Sequence, residues 1–256
     1  VKSLPFQLTN DQRLATYEIL KDLERHYPMN RLLNGDVGSG KTLVALISAY
    51  QTVSGGYQAA FMAPTAILAE QHYHNFSTRL KNFPVNIAML SRMRTKHEQS
   101  ETIKRLTEGK VDIVIGTHRI LSKDMLFKDL GLIIIDEEQR FGVKAKERLK
   151  KFRLLADVLT LTATPIPRTL HMALTGAKDM SIISTPPQNR IPVDTQIVPF
   201  NEDLIKKAIS RELDRKGQTF FLHNRVEDIE QVARIIRTLV KNARVAVGHG
   251  QMPPKM

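Results

Sequence analysis

Residues 35–42 read GDVGSGKT, in which Gly38 and Gly40 bracket a serine and lead into Lys41 and Thr42. The spacing G-x-x-x-x-G-K-[ST] carries chemistry because each residue type has a task at a phosphate chain. Glycine lets the backbone turn sharply and aim successive N–H groups at one point, where phosphate oxygens can sit. Gly35, Asp36, Val37, Gly38, Ser39 and Gly40 would form that cradle. A helix beginning at the loop would add its partial positive charge, Lys41 would reach the β- and γ-phosphates, and the Thr42 hydroxyl would coordinate Mg²⁺. A random chain of this length would match the pattern on the order of one time in a hundred. The alternative is a glycine-rich turn with an incidental lysine.

A second stretch, LIIIDEEQRFG at 132–142, runs four apolar residues into Asp136, Glu137 and Glu138. Adjacent like charges repel, so something positive must repay their placement at the end of a buried strand. A phosphate-loop enzyme needs such a carboxylate on a neighbouring strand to hold magnesium. Asp136 fits that position, acting through a bound water, and Glu137 is placed to orient and deprotonate an attacking water. The cation would also offset the repulsion among the acids. An acidic loop on a solvated strand end is the alternative.

These loops need strands and helices to hold them. Short apolar runs rich in β-branched residues predict strands near 31–34, 58–63, 85–90, 111–115, 131–135 and 157–161, with helical patterns at 42–53, 65–80 and 97–108 between them. That alternation predicts an α/β fold with a doubly wound parallel sheet, and LIIID, apolar on both faces, suits a central strand. The proline-rich STPPQNRIPVD at 184–194 reads as a boundary. Beyond it, strands are expected at 194–198, 218–222 and 243–247, and helices at 202–215 and 226–241. Three strands and two helices make about half of a parallel-sheet domain. The expectation is therefore one whole domain followed by the start of a second, in an excised piece of a longer protein.

Composition sets the outer limits. The chain has 256 residues, 42% of them apolar and 25% charged, as an ordinary globular protein does. No apolar run approaches the roughly 20 residues of a membrane span, and the start has no signal-peptide pattern. With no cysteine, disulfides and thiolate–metal sites are excluded, which fits a cytoplasmic protein. A net charge of +12 favours a polyanionic partner such as nucleic acid, although a solvated lysine-rich surface would give the same count.

Five segments then carry a resemblance. DEEQ at 136–139 resembles motif II of the superfamily 2 helicases and translocases, TAT at 162–164 their motif III, APT at 63–65 motif Ia, and GTH at 116–118 motif Ic. PFQLTNDQ at 5–12 is similar to their adenine-reading Q motif, and all five follow the family order. Within the superfamily the text resembles two bacterial double-stranded DNA motor families. GDVGSGKTLVA and MAPTAILAEQH are RecG-like, whereas from residue 83 onward, in segments such as LGLIIIDEEQRFGVKAKERLK and FFLHNRVEDIEQVARII, it is closer to the transcription-repair coupling factors.

The resemblance implies a RecA-like P-loop domain over 1–188 and the N-terminal part of a second RecA-like domain over 189–256. ATP and Mg²⁺ are the implied cofactors. Gln12 would read the adenine edge, Phe6 would pack on the base and Gln139 would join the nucleotide-binding set; the alternative for Gln12 is the exposed first turn of a helix. Thr162 and Thr164 would couple the γ-phosphate site to the grip on DNA, or else cap a helix or turn. Thr65, Thr117 and His118 are the implied DNA contacts, made to phosphates because a motor must pass any sequence. His118 could instead be a satisfied structural histidine. Arg92 and Arg94 could add charge along the track or form a solvated basic loop. Phe141 could relay nucleotide state or pack in the core, and Arg168 stays unassigned.

The implied activity is ATP-driven translocation on double-stranded DNA by a coupling factor that displaces stalled RNA polymerase and promotes nucleotide excision repair. The polymerase and repair proteins would bind through regions outside this chain. A RecG-like enzyme remodelling branched DNA and stalled forks is the alternative, and a nucleotide-gated binding module without chemistry is a third. The family's motifs V and VI, with their arginine finger, would lie beyond Met256. Such a finger contributes on the order of 10³–10⁵ in rate, so the chain by itself is expected to hydrolyse ATP very poorly.

Overall fold

The computed structural model describes residues 7–91, 94–152, 154–164, 178–185 and 193–252. Phe6, Arg92 and Arg168 lie outside the described residues. The chain divides into two compact units, Val1–Arg190 and Ile191–Met256.

In the first unit seven strands form one sheet: β1 (Asn30–Gly35), β2 (Gln58–Met62), β3 (Ile87–Leu90), β4 (Ile113–Gly116), β5 (Leu130–Asp136), β6 (Asp157–Thr162) and β7 (Asp179–Ile183). Their order is β3-β4-β2-β5-β6-β1-β7, and every pairing is parallel. The helices are α1 (Asn10–Leu23), α2 (Lys41–Ser54), α3 (Ala66–Arg79), α4 (Lys96–Thr107) and α5 (Val143–Phe152). Side chains alternate across each strand, so LIIID feeds two cores at once. Leu132 and Ile134 pack with α1, α2 and α3 residues such as Ile19, Val44 and Phe76, while Ile133 and Ile135 pack with Leu106 of α4 and Leu149 of α5. Burial on both faces is why this strand has no polar residue until Asp136.

The helix starts are set by side-chain caps. Thr9 and Gln12 close a capping box on α1, Thr95 and Glu98 close another on α4, and the Thr65 hydroxyl accepts from Leu68 N at the start of α3. Each such cap contributes about 1 kcal/mol. The outer strand β7 had no clear sequence signal of its own. It is held against β1 by ladder bonds and by polar ties: the Asp11 carboxylate of α1 accepts from Ser184 N and Thr185 N at 2.9 and 2.7 Å, and buried Arg31 donates to Asp22 and Ser181.

The second unit contains α6 (Glu202–Asp214) and α7 (Ile229–Leu239), which pack through Ile209, Ile236 and Val240. The strands expected at 194–198, 218–222 and 243–247 are not formed. Those segments lack ladder partners among the described residues, and Ile197 and Phe220 stay 98% and 94% exposed. Alternation makes a segment fit for a strand, but the strand itself is a pairing that must come from elsewhere in the fold.

Candidate nucleotide site

The site is assembled by register. β6 lies between β5 and β1, so the loops leaving these three strands emerge side by side at the C-terminal edge of the sheet. Asp136 is level with Leu161, and Asn34 with Thr162, which brings GDVGSGKT, DEEQ and TAT to one crevice. Ligands of open α/β sheets bind at such carboxyl ends.

In the first loop Gly38 and Gly40 adopt φ of +79° and +91°, the left-handed conformation that a side chain resists. Gly40 is also the N-cap of α2. Gly35 needs its bare backbone for another reason: a Cβ there would stand 2.6 Å from Ser39 Oγ and 3.0 Å from the Ile183 carbonyl of β7. The Lys41 ammonium donates to the Gly35 and Asp36 carbonyls at 2.6 and 3.0 Å. Burial pulls its pKa below the ordinary lysine value, against the opposing charges of Glu137, Asp136 and Asp36. Lys41 therefore lies within electrostatic reach of both acids named from the sequence. Thr42 opens α2 beside it, and Ser39 Oγ is buried without a hydrogen-bond partner among the described residues.

The three adjacent acids are kept apart by separate donors. Asp136 Oδ2 lies 3.1 Å from His72 Nε2 of α3. Glu137 accepts from Ala163 N at 3.1 Å, from Thr162 Oγ1 at 3.5 Å, and from the Gln139 side-chain amide. Glu138 meets Lys178 Nζ and Thr160 Oγ1, each at 3.5 Å, and Lys178 also donates to Thr160 at 2.8 Å. The protein thus supplies a donor to each of the three carboxylates. Glu137 itself holds φ +50°, ψ +59°, a left-handed conformation costly for a non-glycine residue.

Gln12 is buried at 4% exposure, which excludes the exposed-turn reading. Its amide oxygen accepts from Thr9 N at 3.0 Å and its nitrogen donates to the Ser39 carbonyl at 2.8 Å, fastening α1 to the phosphate loop. Gln139 points at Glu137. Thr162 is buried and its hydroxyl also accepts from Thr164 N at 3.2 Å, so motif III braces Glu137 directly. Phe141 is a core residue, 7% exposed, packed in the cluster with Ile133 and Leu149.

The implied DNA residues gather at the neighbouring strand tips. β2 and β4 end level with each other, Met62 beside Gly116, and the Ala63 amide bonds the Gly116 carbonyl. Thr65 is exposed at the start of α3; Thr117 is buried, and His118, which follows it, is exposed. The exposure of His118 leaves its ring accessible to a partner. Arg94 pairs with Glu98 at 3.4 Å, an exposed contact of little energetic weight.

Sequence reasoning missed His72, Lys178 and the pairing of Glu138. His72 carried a faint signal, since LAEQHYHNF places it on the same helical face as Ala69 and Phe76. Lys178 carried none, because its partners are distant in sequence.

Among known families, the one described as DEAD/DEAH box helicase matches residues 9–173. The transcription-repair-coupling factor of Bacillus subtilis (strain 168) is 57% identical over 250 residues, which are 98% of this chain and 21% of that protein. Its counterpart in Staphylococcus aureus (strain USA300) is 52% identical over 248 residues, 97% of this chain and 21% of the relative. The chain thus spans about a fifth of the curated relatives it matches. Among solved structures, RecG bound to a three-way DNA junction aligns with a TM-score of 0.77 at 37% identity, covering 93% of this chain and 32% of that one. The helicase MrfA, at 19% identity and a TM-score of 0.62, shares the fold.

Proposed function

The chain belongs to the DEAD/DEAH box helicase family, and from that membership we propose that it is the ATP-driven double-stranded DNA motor of a transcription-repair coupling factor. Its task in the whole protein is to displace stalled RNA polymerase and promote nucleotide excision repair, in the bacterial cytoplasm. Residues 1–188 are the first RecA-like domain and 189–256 the beginning of the second. The observation that carries this reading is the register of β1, β6 and β5, which sets Lys41, Asp136 and Glu137 around one crevice.

The donor set fits a nucleotide with magnesium. Among the described residues no three His, Cys, Asp or Glu side chains form a metal cage. Magnesium in phosphate-transfer sites is characteristically held by one or two protein groups together with substrate phosphates and water. Thr42, and Asp136 through a bound water, are the groups that would hold it here. Bound there, it would supply positive charge against that of the phosphates.

The protein residues do the rest. The Lys41 ammonium exchanges its two neutral carbonyl acceptors for phosphate oxygens, which are stronger partners for a half-buried cation. The amides of 36–40 and the start of α2 face the same charge. Glu137, braced by Ala163 N and Thr162, orients a water and takes its proton. Because Thr162 touches both Glu137 and Thr164, a change at the γ-phosphate reaches motif III in one contact. Thr65 and His118, with the buried Thr117 between strand end and His118, would hold the phosphate backbone of the DNA, and Gln12, on exchanging its Thr9 or Ser39 partner, would hold the base with Phe6. Among the described residues no helix is long and apolar enough to cross a membrane.

The test is ATP hydrolysis by the full-length protein with and without duplex DNA, paired with release of RNA polymerase stalled on that duplex. Duplex-stimulated turnover with polymerase release, both lost in Lys41→Ala, is the expected result. Turnover stimulated by branched junctions, with no effect on stalled polymerase, would favour the RecG-like reading suggested by the 37% identical neighbour. The 52–57% identity to coupling factors favours the first.

A further inference from the structure

We infer that His72 is a positioning residue: it fixes the Asp136 carboxylate for the divalent cation and links that carboxylate to the DNA-facing start of α3. This rests on the nucleotide site proposed above. Asp136 is the last residue of β5, and its side chain is largely buried, as is that of His72. An ionised carboxylate only accepts hydrogen bonds, so the contact at 3.1 Å assigns the proton to His72 Nε2. One oxygen, Oδ2, is thereby occupied, and the carboxylate is held in one orientation at the end of β5.

The imidazole is itself held. Its ring lies 4.5 Å, centroid to centroid, from Phe61 of β2, a fully buried side chain in the main core. Its backbone belongs to α3, which begins at the exposed cap Thr65. Thr65 and His72 are two helical turns apart, so roughly 10 Å of rigid helix joins the exposed tip to the buried ring. The segment leading into the tip is bonded to the end of β4, Ala63 N to the Gly116 carbonyl, and Gly116 is followed by Thr117 and His118, the other candidate contacts to DNA. A shift of α3 on engaging a phosphate backbone therefore changes the His72–Asp136 contact without any loop having to refold. Groups that orient a metal ligand from behind change metal affinity or activity about 10–100-fold when lost.

The experiment uses the full-length protein with His72→Asn and His72→Gln. Glutamine carries its amide N–H to about the reach of Nε2, and asparagine falls short of Asp136. Binding of Mn²⁺ in the presence of ADP is titrated by electron paramagnetic resonance, beside metal-free binding of a fluorescent nucleotide and ATPase with and without duplex DNA. His72→Asn is expected to weaken Mn²⁺ binding about 10-fold, to reduce the stimulation by DNA more than the basal rate, and to leave metal-free nucleotide binding unchanged. His72→Gln is expected to restore both. Unchanged Mn²⁺ affinity in His72→Asn sinks the inference, as does an equal loss of metal-free binding, which is what a purely structural role predicts. Should His72→Asn not fold, His72→Phe, which keeps the ring contact with Phe61, is held to the same criteria. The premise is tested separately: persistent ATPase in Lys41→Ala overturns the nucleotide site, whereas a dead Lys41→Ala with wild-type behaviour in His72→Asn overturns only the role of His72.

Discussion

At the N-terminal end of the sheet, Gln58 at the start of β2 donates to the Leu106 and Val111 carbonyls at 2.9 and 2.7 Å and accepts from Lys128 N and Asp129 N at 2.8 and 3.1 Å. Close by, the Asp157 carboxylate at the start of β6 accepts from Met29 N at 2.6 Å. At the C-terminal end the pattern reverses. Ser39 Oγ and Asn34 Oδ1 are buried without partners among the described residues, Lys41 rests on neutral carbonyls, and Glu137 holds a strained backbone. Asn30, at the N-terminal end, is the exception, its Oδ1 also being unpaired. The difference teaches that the two ends answer to different requirements. Polar groups at one end close the fold, whereas at the other they keep capacity for something the fold does not supply.

The comparison breaks if substitutions at the two ends have the same kind of effect. The largest effect is expected from Glu137→Gln, which keeps the size and one acceptor oxygen but cannot accept a proton. In the full-length protein, kcat for ATP should fall about 10²–10⁴-fold, with nucleotide binding and thermal stability retained; steady-state and equilibrium measurements on one preparation check this. Gln58→Ala should do the opposite. It strips two carbonyls and two amides of their partner and should lower unfolding free energy by about 3 kcal/mol, read by urea denaturation, while the affinity for nucleotide holds. A loss of folding in the first variant, or of nucleotide binding in the second, would erase the distinction between the ends.

A smaller change sharpens it. At φ +50° glycine relieves most of the strain that Glu137 bears. Glu137→Gly should therefore raise stability by about 1 kcal/mol while abolishing hydrolysis. A variant at once firmer and dead is what a backbone held under strain for chemistry predicts. Stability unchanged or lowered would show that the three neighbouring donors, and not the backbone, dominate this turn.

How much of this could be read in advance follows from the range of each signal. The phosphate loop, Asp136 and β1 to β6 were legible because their information is local: a fixed spacing, or an apolar run between turns. Register then followed from the order of the strands, which the sequence alone did not state. Strand β7 was missed because Asp179–Ile183 alternates weakly and is fastened by Asp11 and Arg31 from elsewhere in the chain. The pairing of Glu138 with Lys178 was missed for the same reason. In the second unit the error ran the other way. The segment around Phe220 has the composition of a strand, but composition cannot provide the partner that makes one.

The gentlest probe of the comparison is pH. Each end carries one ionisable group disfavoured by burial. The Lys41 ammonium sits below the usual lysine pKa of 10.5. The Asp157 carboxyl is raised above 3.8 by burial first, with Asp22 adding to the shift and the bond from Met29 N opposing it. Their signs differ. Between the folded pKa of Lys41 and 10.5 the unfolded chain holds more protons, so stability climbs with pH through that alkaline window. Between 3.8 and the folded pKa of Asp157 the folded chain holds more, so stability declines as pH rises through that acidic window. Lys41→Met should flatten the alkaline climb, and Asp157→Asn, which keeps an oxygen for Met29 N, should flatten the acidic decline; denaturation midpoints across both windows read each slope. Only the first substitution should also abolish nucleotide binding, because only at the C-terminal end does the buried charge have a ligand to meet.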